Sequence, residues 1–339
     1  MGVPRGSVMR VTGALAIALG IALVFGPPAS ERIAQIQADA LIERSMAADL
    51  APASDRLPDS SQGPAGAEGS VDASEAAAAK RPKDGDAAYE YLADYNEKVT
   101  AGAAGPVNDP WGIGSDQEEL ADLGLANGIV GSVRIDRLGE TMPLYLGASA
   151  ESLSRGAGVV AGTSAPLGGA GANCVVAAHR AAWAGLPMLR DVEDMRAGDL
   201  VVVDTPWDRL AYRVAETRVI GPDDIEALSP QAGRDLLTLL TCHPYGHNDQ
   251  RYLVYCERCG AEEEELAGTG AAKPAPSSLA PGGMARLVER LTAPSDSIEL
   301  VVERWVRFAG ALALSLLALV WAARRIRDRR DKASGKGRR

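Results

Sequence analysis

Short apolar runs separated by turn-forming residues dominate the stretch 128–260. Most runs have the length of a strand and are bounded by Gly, Pro, Asn or Asp. Many short strands with turns between them indicate a mainly β fold, either a barrel or a sandwich. The eight predicted strands are Ile129–Ile135, Met142–Leu146, Ala157–Ala161, Cys174–His179, Leu200–Asp204, Leu210–Ile220, Leu236–Cys242 and Arg251–Cys256.

Helical periodicity lies mainly ahead of this strand-rich region. One helix is predicted within 31–50, where the apolar positions at helical spacing are Ile33, Ile36, Ala40, Leu41 and Met46. A second is predicted to begin at the N-cap Asp86, with one face formed by Ala88, Tyr91, Leu92, Tyr95 and Val99. Shorter helical pieces are predicted at Leu186–Met195 and Asp223–Leu228.

Three stretches lack periodicity and are predicted to connect these elements. Residues 51–84 are rich in Ala, Pro, Ser, Asp and Gly, which predicts a flexible insertion. Residues 106–114 form a loop that contains Asn108-Asp109-Pro110-Trp111. Residues 261–304 open with four glutamates and continue with Ala, Pro, Gly and Ser, a composition typical of a solvated linker.

Two longer apolar runs lie near the ends of the chain. The first, Val11–Phe25, follows Arg5 and Arg10 and predicts a signal anchor. A cleavable signal peptide is the alternative, because the run is short and Pro27-Pro28 follows it. The second, Phe308–Ala323, is bracketed by two tryptophans, which are typical of membrane interfaces, and predicts a membrane helix over 305–323.

Charge supports this division of the chain. The tail 324–339 holds nine Lys and Arg residues against two Asp residues, a net charge of +7, whereas the whole chain carries −10. The positive-inside rule places such a tail in the cytoplasm. If both apolar runs span a membrane, both ends are cytoplasmic and the acidic region between them is outside. An acidic surface also argues against nucleic-acid binding, which requires a basic face.

The candidate chemistry centres on Cys242. The run Thr238-Leu239-Leu240-Thr241-Cys242, an eight-residue turn-rich loop and the run from Arg251 predict an antiparallel hairpin with Cys242 opposite Arg251. A thiol beside a guanidinium suggests a nucleophile with an oxyanion-stabilising cation. A cysteine nucleophile also needs an imidazole partner.

Three histidines could supply that imidazole. His243 follows Cys242 directly, so its side chain points to the opposite face of the strand. His247 lies in the loop, where nothing rigid would hold it. His179 ends a buried strand, which is the rigid support that a catalytic group needs. We therefore predict His179, Cys242 and Arg251 as the catalytic set.

These residues resemble the sortase signature Thr-Leu-x-Thr-Cys with a downstream Arg. The stretches Gly162–Gly169, His179-Arg180, Leu186-Pro187 and Thr241–Gly246 are similar to class C sortases, which polymerise pilins. The resemblance covers roughly 86–258 and implies a closed eight-stranded barrel over 128–260. The chain departs from the family pattern where Ala178 and Ala181 replace Gly around the His, and where His243 replaces a commoner Thr.

The resemblance implies a cysteine transpeptidase that needs no cofactor and no metal. Cys242 would attack a Leu-Pro-x-Thr-Gly-type sorting signal, His179 would transfer protons and Arg251 would stabilise the oxyanion. The implied partners are pilins or surface proteins with sorting signals, at the membrane of a Gram-positive-type bacterium. Two alternatives stay open: a housekeeping sortase that uses the cell-wall precursor as acceptor, and a catalytically silent anchor.

The same resemblance implies a lid over the active site. In class C sortases an Asp-Pro-aromatic triplet covers the catalytic residues, so Asp109 would meet Arg251 and Trp111 would cover Cys242. With this lid in 106–114, the predicted organisation is an anchor (1–30), a helical region (31–127), the barrel (128–260), a linker (261–304), a membrane helix (305–323) and a tail (324–339).

The remaining cysteines form no recognisable metal site. Cys256 and Cys259 make a single C-x-x-C pair, which supplies two of the four ligands of a structural zinc. Cys174 would be a third ligand only if the fold brought it near. An extracytoplasmic setting allows a disulfide among these three residues, and free thiols are the alternative.

Overall fold

The architecture is a closed barrel of eight strands in the order β1-β2-β3-β4-β7-β8-β6-β5. The computed structural model describes residues 30–48, 80–107, 110, 125–180 and 186–260, with scattered residues between 301 and 313. The strands are β1 (Ile129–Ile135), β2 (Glu140–Leu146), β3 (Ala157–Val159), β4 (Asn173–Ala177), β5 (Leu200–Asp204), β6 (Arg209–Ile220), β7 (Leu236–His243) and β8 (Gln250–Arg258). The predicted eight-stranded barrel is confirmed: β1 and β5 match the predicted bounds, and the ends of the other strands differ by one or two residues. β4 ends at Ala177, so the prediction that His179 ends this strand is wrong by two residues.

Apolar side chains from all eight strands fill the barrel interior. Val133, Leu144, Val176, Leu239 and Val254 belong to this main cluster, and each is at most 1% exposed. A second apolar cluster packs on the outside of β4, β7 and β8 and includes Ala177, Leu240 and Leu253. The central strands are therefore buried on both faces, which explains their continuous apolar sequence.

Two of the strand pairs are parallel and need crossover connections. β2 reaches β3 through α3 (Ala150–Arg155), whose N-cap Ser149 accepts a hydrogen bond from the backbone N–H of Ser152. The sequence analysis did not predict this helix. β4 reaches its parallel neighbour β7 through the intervening hairpin of β5 and β6.

The two predicted N-terminal helices are present, although their buried faces differ in part from the prediction. α1 (30–48) buries Ala38 and Ser45, whereas Ile33 and Ile36 are 56% and 58% exposed. α2 (Ala87–Thr100) is capped by Asp86 as predicted and buries Ala88, Leu92 and Val99. Tyr91, predicted on the same face, is 45% exposed.

Other boundaries change because side chains dock onto the barrel. Lys80 donates to the Thr205 carbonyl (2.8 Å) and the Arg81 N–H donates to the Pro206 carbonyl (2.7 Å). The predicted insertion 51–84 therefore includes a final part that packs against β5. The prediction of a helix over Leu186–Met195 is wrong except for one 3₁₀ turn, Val192–Asp194, and Asp223–Leu228 contains only the 3₁₀ turn Ile225–Leu228.

Most of the predicted membrane segments lie outside the described residues. The run 11–25 is not among them, and of the helix 305–323 only residues 305, 306, 309, 310 and 313 are described, all of them helical. Within the described part of the chain, no helix combines the length and the apolar character that a membrane crossing requires.

Candidate active site

The site lies at one end of three adjacent strands, with β7 in the middle. β4 pairs with β7 in parallel, with Ala177 beside Leu240. β8 pairs with β7 on its other side, antiparallel, with Cys242 opposite Arg251. The predicted hairpin and its register are thus confirmed.

Strand periodicity places two of the three candidate side chains on one face. Leu240 and Leu253 point into the outer apolar cluster, and Cys242 and Arg251 each lie two residues from one of them on β7 and β8. His179 lies two residues beyond Ala177, the last residue of β4. Continuing the parallel register two residues beyond Ala177 brings His179 beside Cys242.

The backbone on both sides of His179 is fixed by hydrogen bonds. The N–H of Ala178 donates to the Leu240 carbonyl (3.1 Å), and the Thr241 hydroxyl donates to the Ala178 carbonyl (2.7 Å). The N–H of Leu189 donates to the His179 carbonyl (3.2 Å). The imidazole is half-buried, and this burial lowers the pKa of His179, which favours the neutral ring.

The guanidinium of Arg251 is held by the loop that joins β7 to β8. Its Nη1 donates to the carbonyls of Asn248 (2.9 Å) and Gln250 (2.8 Å), and the residue is 6% exposed. Cys242 is 8% exposed. The thiol and the cation are therefore largely withdrawn from water. Electrostatic interactions are stronger in such a buried setting than in water.

The other two histidines lie on the far side of β7 and on the loop after it. His243 is 4% exposed and points to the opposite side of β7, with its ring 5.5 Å from that of Tyr252. The structure confirms the reason for setting it aside. His247 is exposed on the loop between β7 and β8. The lid residues Asp109 and Trp111 lie outside the described residues.

Comparison with known proteins shows to which family the chain belongs. A family model for the sortase domain matches residues 133–259, which contain all three candidate residues. The structure of sortase C1 from Streptococcus agalactiae is 32% identical and aligns with 51% of this chain and 87% of that protein (TM-score 0.47). The chain belongs to the sortase family.

Other sortases align with the same region. Sortase C-1 from Actinomyces oris is 28% identical and covers 51% of this chain and 97% of that protein (TM-score 0.46). Sortase D from Bacillus subtilis is 24% identical over 140 residues, 40% of this chain, and this chain spans 66% of its length. The resemblance to class C sortases and the prediction of a sortase-type enzyme are confirmed by these identities.

The structure adds site residues that the sequence analysis of this sortase missed. Thr241 fixes the backbone ahead of His179, and Glu193 forms an ion pair with Arg180 (2.7 Å) and lies 3.4 Å from His243 Nδ1. Thr241 belongs to the signature, but its hydroxyl partner is 63 residues away in sequence. No pattern around Glu193 distinguishes it from neighbouring acidic residues.

All four cysteines of the sortase domain are free thiols in the structure. Cys174 and Cys256 face the barrel interior on β4 and β8, with Leu237 of β7 between them in register. Burial raises the pKa of both thiols well above the usual range. Among the described residues, no cluster of three or more metal-ligating side chains is present.

We expect alkylation to distinguish these thiols. Iodoacetamide should modify Cys259, which is partly exposed, in the folded protein, because reaction requires an accessible thiolate. Cys242, which is 8% exposed, should react more slowly, as the site opens. Cys174 and Cys256 should react only after unfolding. Peptide mapping by mass spectrometry would follow each site, with a denatured sample as the control in which all four react. Early modification of Cys174 or Cys256 would contradict this assignment.

Proposed function

We propose that the protein is a membrane-anchored cysteine transpeptidase that cleaves a Leu-Pro-x-Thr-Gly-like sorting signal and transfers the acyl group to a pilin lysine. The observation that carries the proposal is the placement of Cys242 opposite Arg251, with His179 just beyond the end of the neighbouring strand β4. Thiol, guanidinium and imidazole are the groups that acyl transfer through a thioester requires.

In the first step, the Cys242 sulfur attacks the carbonyl carbon of the Thr-Gly bond. The negative charge that develops on the carbonyl oxygen is stabilised by Arg251, whose planar fork can donate to it. The C–N bond then breaks, the Gly amine leaves with a proton from His179, and a thioester remains on Cys242. The lowered pKa of His179 favours a neutral ring before the reaction. The proton that the ring later gives to the Gly amine therefore comes from the Cys242 thiol.

In the second step, a lysine amine of a pilin attacks the thioester. His179 accepts the proton of the attacking amine, the C–S bond breaks and the sulfur recovers its proton. The product is an isopeptide bond between two protein chains. The same two residues therefore serve both half-reactions in opposite directions.

Sequence identity supports a pilin lysine as the acceptor over the cell-wall precursor. The chain is 28–32% identical to sortase C proteins and 24% identical to sortase D and to sortase A of Bacillus anthracis. The sortase C structure from Streptococcus pneumoniae, 29% identical, is described in terms of pilin substrate specificity. A housekeeping activity remains the alternative, and the choice of acceptor tests it.

Substitution of the three site residues tests the mechanism. Cys242→Ala should abolish cleavage of a sorting-signal peptide, because the nucleophile is lost. Arg251→Ala should lower kcat by about 10²–10³, the usual effect of removing an oxyanion donor. His179→Ala should nearly abolish turnover. Cleavage would be measured with a fluorogenic peptide, and the thioester would be trapped and identified by mass spectrometry.

A matched control separates the loss of the nucleophile Cys242 from the loss of any other thiol. Cys259→Ala removes a partly exposed thiol at the end of the same barrel and should leave cleavage unchanged. Wild-type turnover by Cys242→Ala would rule out the cysteine mechanism. In the same assay, a pilin fragment with its lysine should accept the acyl group in preference to the amine of the cell-wall precursor, and the reverse preference would favour the housekeeping activity.

The packing of the loop 106–114 supports its proposed role as a lid. Val107 packs against the outer apolar cluster, on the face that carries the catalytic residues. Pro110 is buried. A Cβ on Gly162 would lie 2.8 Å from the Pro106 carbonyl oxygen, so the loop passes closely over the turn after β3. These contacts hold the start of the loop on the outer cluster, and the proposed lid residues Asp109 and Trp111 follow it in sequence.

The lid is tested by the combined substitution Asp109→Ala and Trp111→Ala. Loss of the proposed ion pair with Arg251 and of the buried indole should speed alkylation of Cys242 by roughly tenfold, which corresponds to about 1.4 kcal/mol. Turnover of short peptides should rise. The alkylation rate of Cys259 in the same sample is the internal control. Unchanged Cys242 reactivity in a folded double variant would mean that the loop does not guard the site.

Membrane anchoring is supported by sequence and by exposure near the predicted anchors. α1 follows the first apolar run and exposes Ile33 and Ile36, and Val302, Trp305 and Val306 are exposed near the second. Reporter fusions after Ser30 and near Ala280 should be extracytoplasmic. The basic residues lie before the first apolar run and after the second, and such residues stay on the cytoplasmic side. A fusion after Arg330 should be cytoplasmic, and an extracytoplasmic signal there would refute the two-span topology.

A further inference from the structure

A buried ionic cluster lies on the side of β7 that faces away from the catalytic side chains. Arg180 Nη1 donates to Glu193 Oε1 (2.7 Å), and the same oxygen lies 3.4 Å from His243 Nδ1. The three side chains are 2–5% exposed. Arg180 also donates from Nε and Nη2 to the Arg190 carbonyl (3.1 and 2.9 Å), and its guanidinium lies over the Tyr245 ring.

The position of this cluster along the chain is specific. Arg180 directly follows His179, and His243 directly follows Cys242. Glu193 comes from the 3₁₀ turn Val192–Asp194 and contacts both of them. One carboxylate thus connects the residue after the proposed proton carrier with the residue after the proposed nucleophile.

Stability alone does not account for such a cluster. Desolvation of two buried charges offsets most of their attraction, and apolar residues of similar volume commonly stabilise a fold equally well. Buried ion pairs can instead fix one geometry among several. His243 Nδ1 lies 3.4 Å from the same carboxylate oxygen without forming a hydrogen bond to it, so the contact of Glu193 with His243 is one of packing, whereas its contact with Arg180 is a hydrogen-bonded ion pair.

We propose that Glu193 is a positioning residue for acyl transfer. It binds Arg180 and packs against His243, and in this way it sets the distance between His179 and Cys242. The inference rests on the proposed function. The cluster does not touch the outer face where a peptide would bind, so it acts on the chemical step rather than on binding. A displacement of about 1 Å between reacting groups can cost roughly 100-fold in rate.

Two variants separate positioning from folding. Glu193→Gln keeps the side-chain shape and removes the charge. The double variant Arg180→Met, Glu193→Met removes both charges together, so that neither is left buried alone. Glu257→Gln is the matched control. Glu257 lies at the end of β8 away from Arg251 and forms an exposed ion pair with Arg234. Each variant would be assayed for Tm, for kcat and KM with the sorting-signal peptide, and for alkylation of Cys242 relative to Cys259.

We expect the double variant to keep a Tm near that of the wild type while kcat falls at least tenfold and KM stays within about twofold, the signature of an effect on the chemical step. Glu193→Gln should lower kcat in the same way, and Glu257→Gln should change neither constant. Alkylation of Cys242 should slow in both cluster variants, because the thiol loses a well-placed base.

Wild-type kcat in either folded variant would overturn the proposal. Loss of folding in both variants would also overturn it, since the cluster would then be structural. If the wild type cleaves no peptide, the proposed function fails. The alkylation rates still test the cluster in that case: slower Cys242 alkylation in the variants supports the positioning role, and unchanged rates refute it.

Discussion

The register of β7 between β4 and β8 is the constraint on which the site depends. Because side chains alternate along a strand, a slip of one residue would turn Cys242 toward the barrel interior and His243 toward the outer face. Buried polar contacts oppose such a slip. The Thr238 hydroxyl donates to Asn173 Oδ1 (2.7 Å) across β4 and β7, and Asn173 Nδ2 donates to the Leu228 carbonyl (2.9 Å). Shifted strands would leave these groups buried and unpaired, which is costly.

The same alternation divides the chemistry between two faces. The interior face holds Cys174 and Cys256, whose thiols are kept protonated by burial, together with the Arg180, Glu193 and His243 cluster. The outer face holds the reactive set. A thiol becomes a nucleophile only where a base and an accessible reactant reach it, so the face on which a cysteine lies decides its role.

Local pattern was enough to predict the strands and the hairpin, because each strand carries its own apolar run and turn residues. It was also enough for Asp86, whose capping contacts lie within three residues. The failures have long-range causes. Ile33 and Ile36 have helical spacing, yet α1 turns Ala38 and Ser45 inward, where Asn127 donates to the Ser45 hydroxyl across the fold. Leu186–Met195 forms turns and one 3₁₀ turn instead of a helix, and it is held by the contacts of Met188 with Arg180 and of Leu189 with His179. Glu193 gives no signal in the sequence, because both of its partners are distant along the chain.

A transpeptidase must protect its thioester from water while admitting an amine, and the architecture of this site addresses both needs. Cys242 and Arg251 are each less than a tenth exposed, at the end of a sheet whose outer face is apolar. β7 and β8 carry Cys242 and Arg251, and His179 lies two residues beyond the end of β4, so strand pairing determines the backbone positions near the site. Two loops border this end of the sheet. Val107 anchors one such loop on the outer cluster, and the loop from Pro244 to Asp249 encloses the guanidinium through the Asn248 carbonyl. The backbone of Ala178, hydrogen-bonded to Leu240 and Thr241, holds His179 near Cys242.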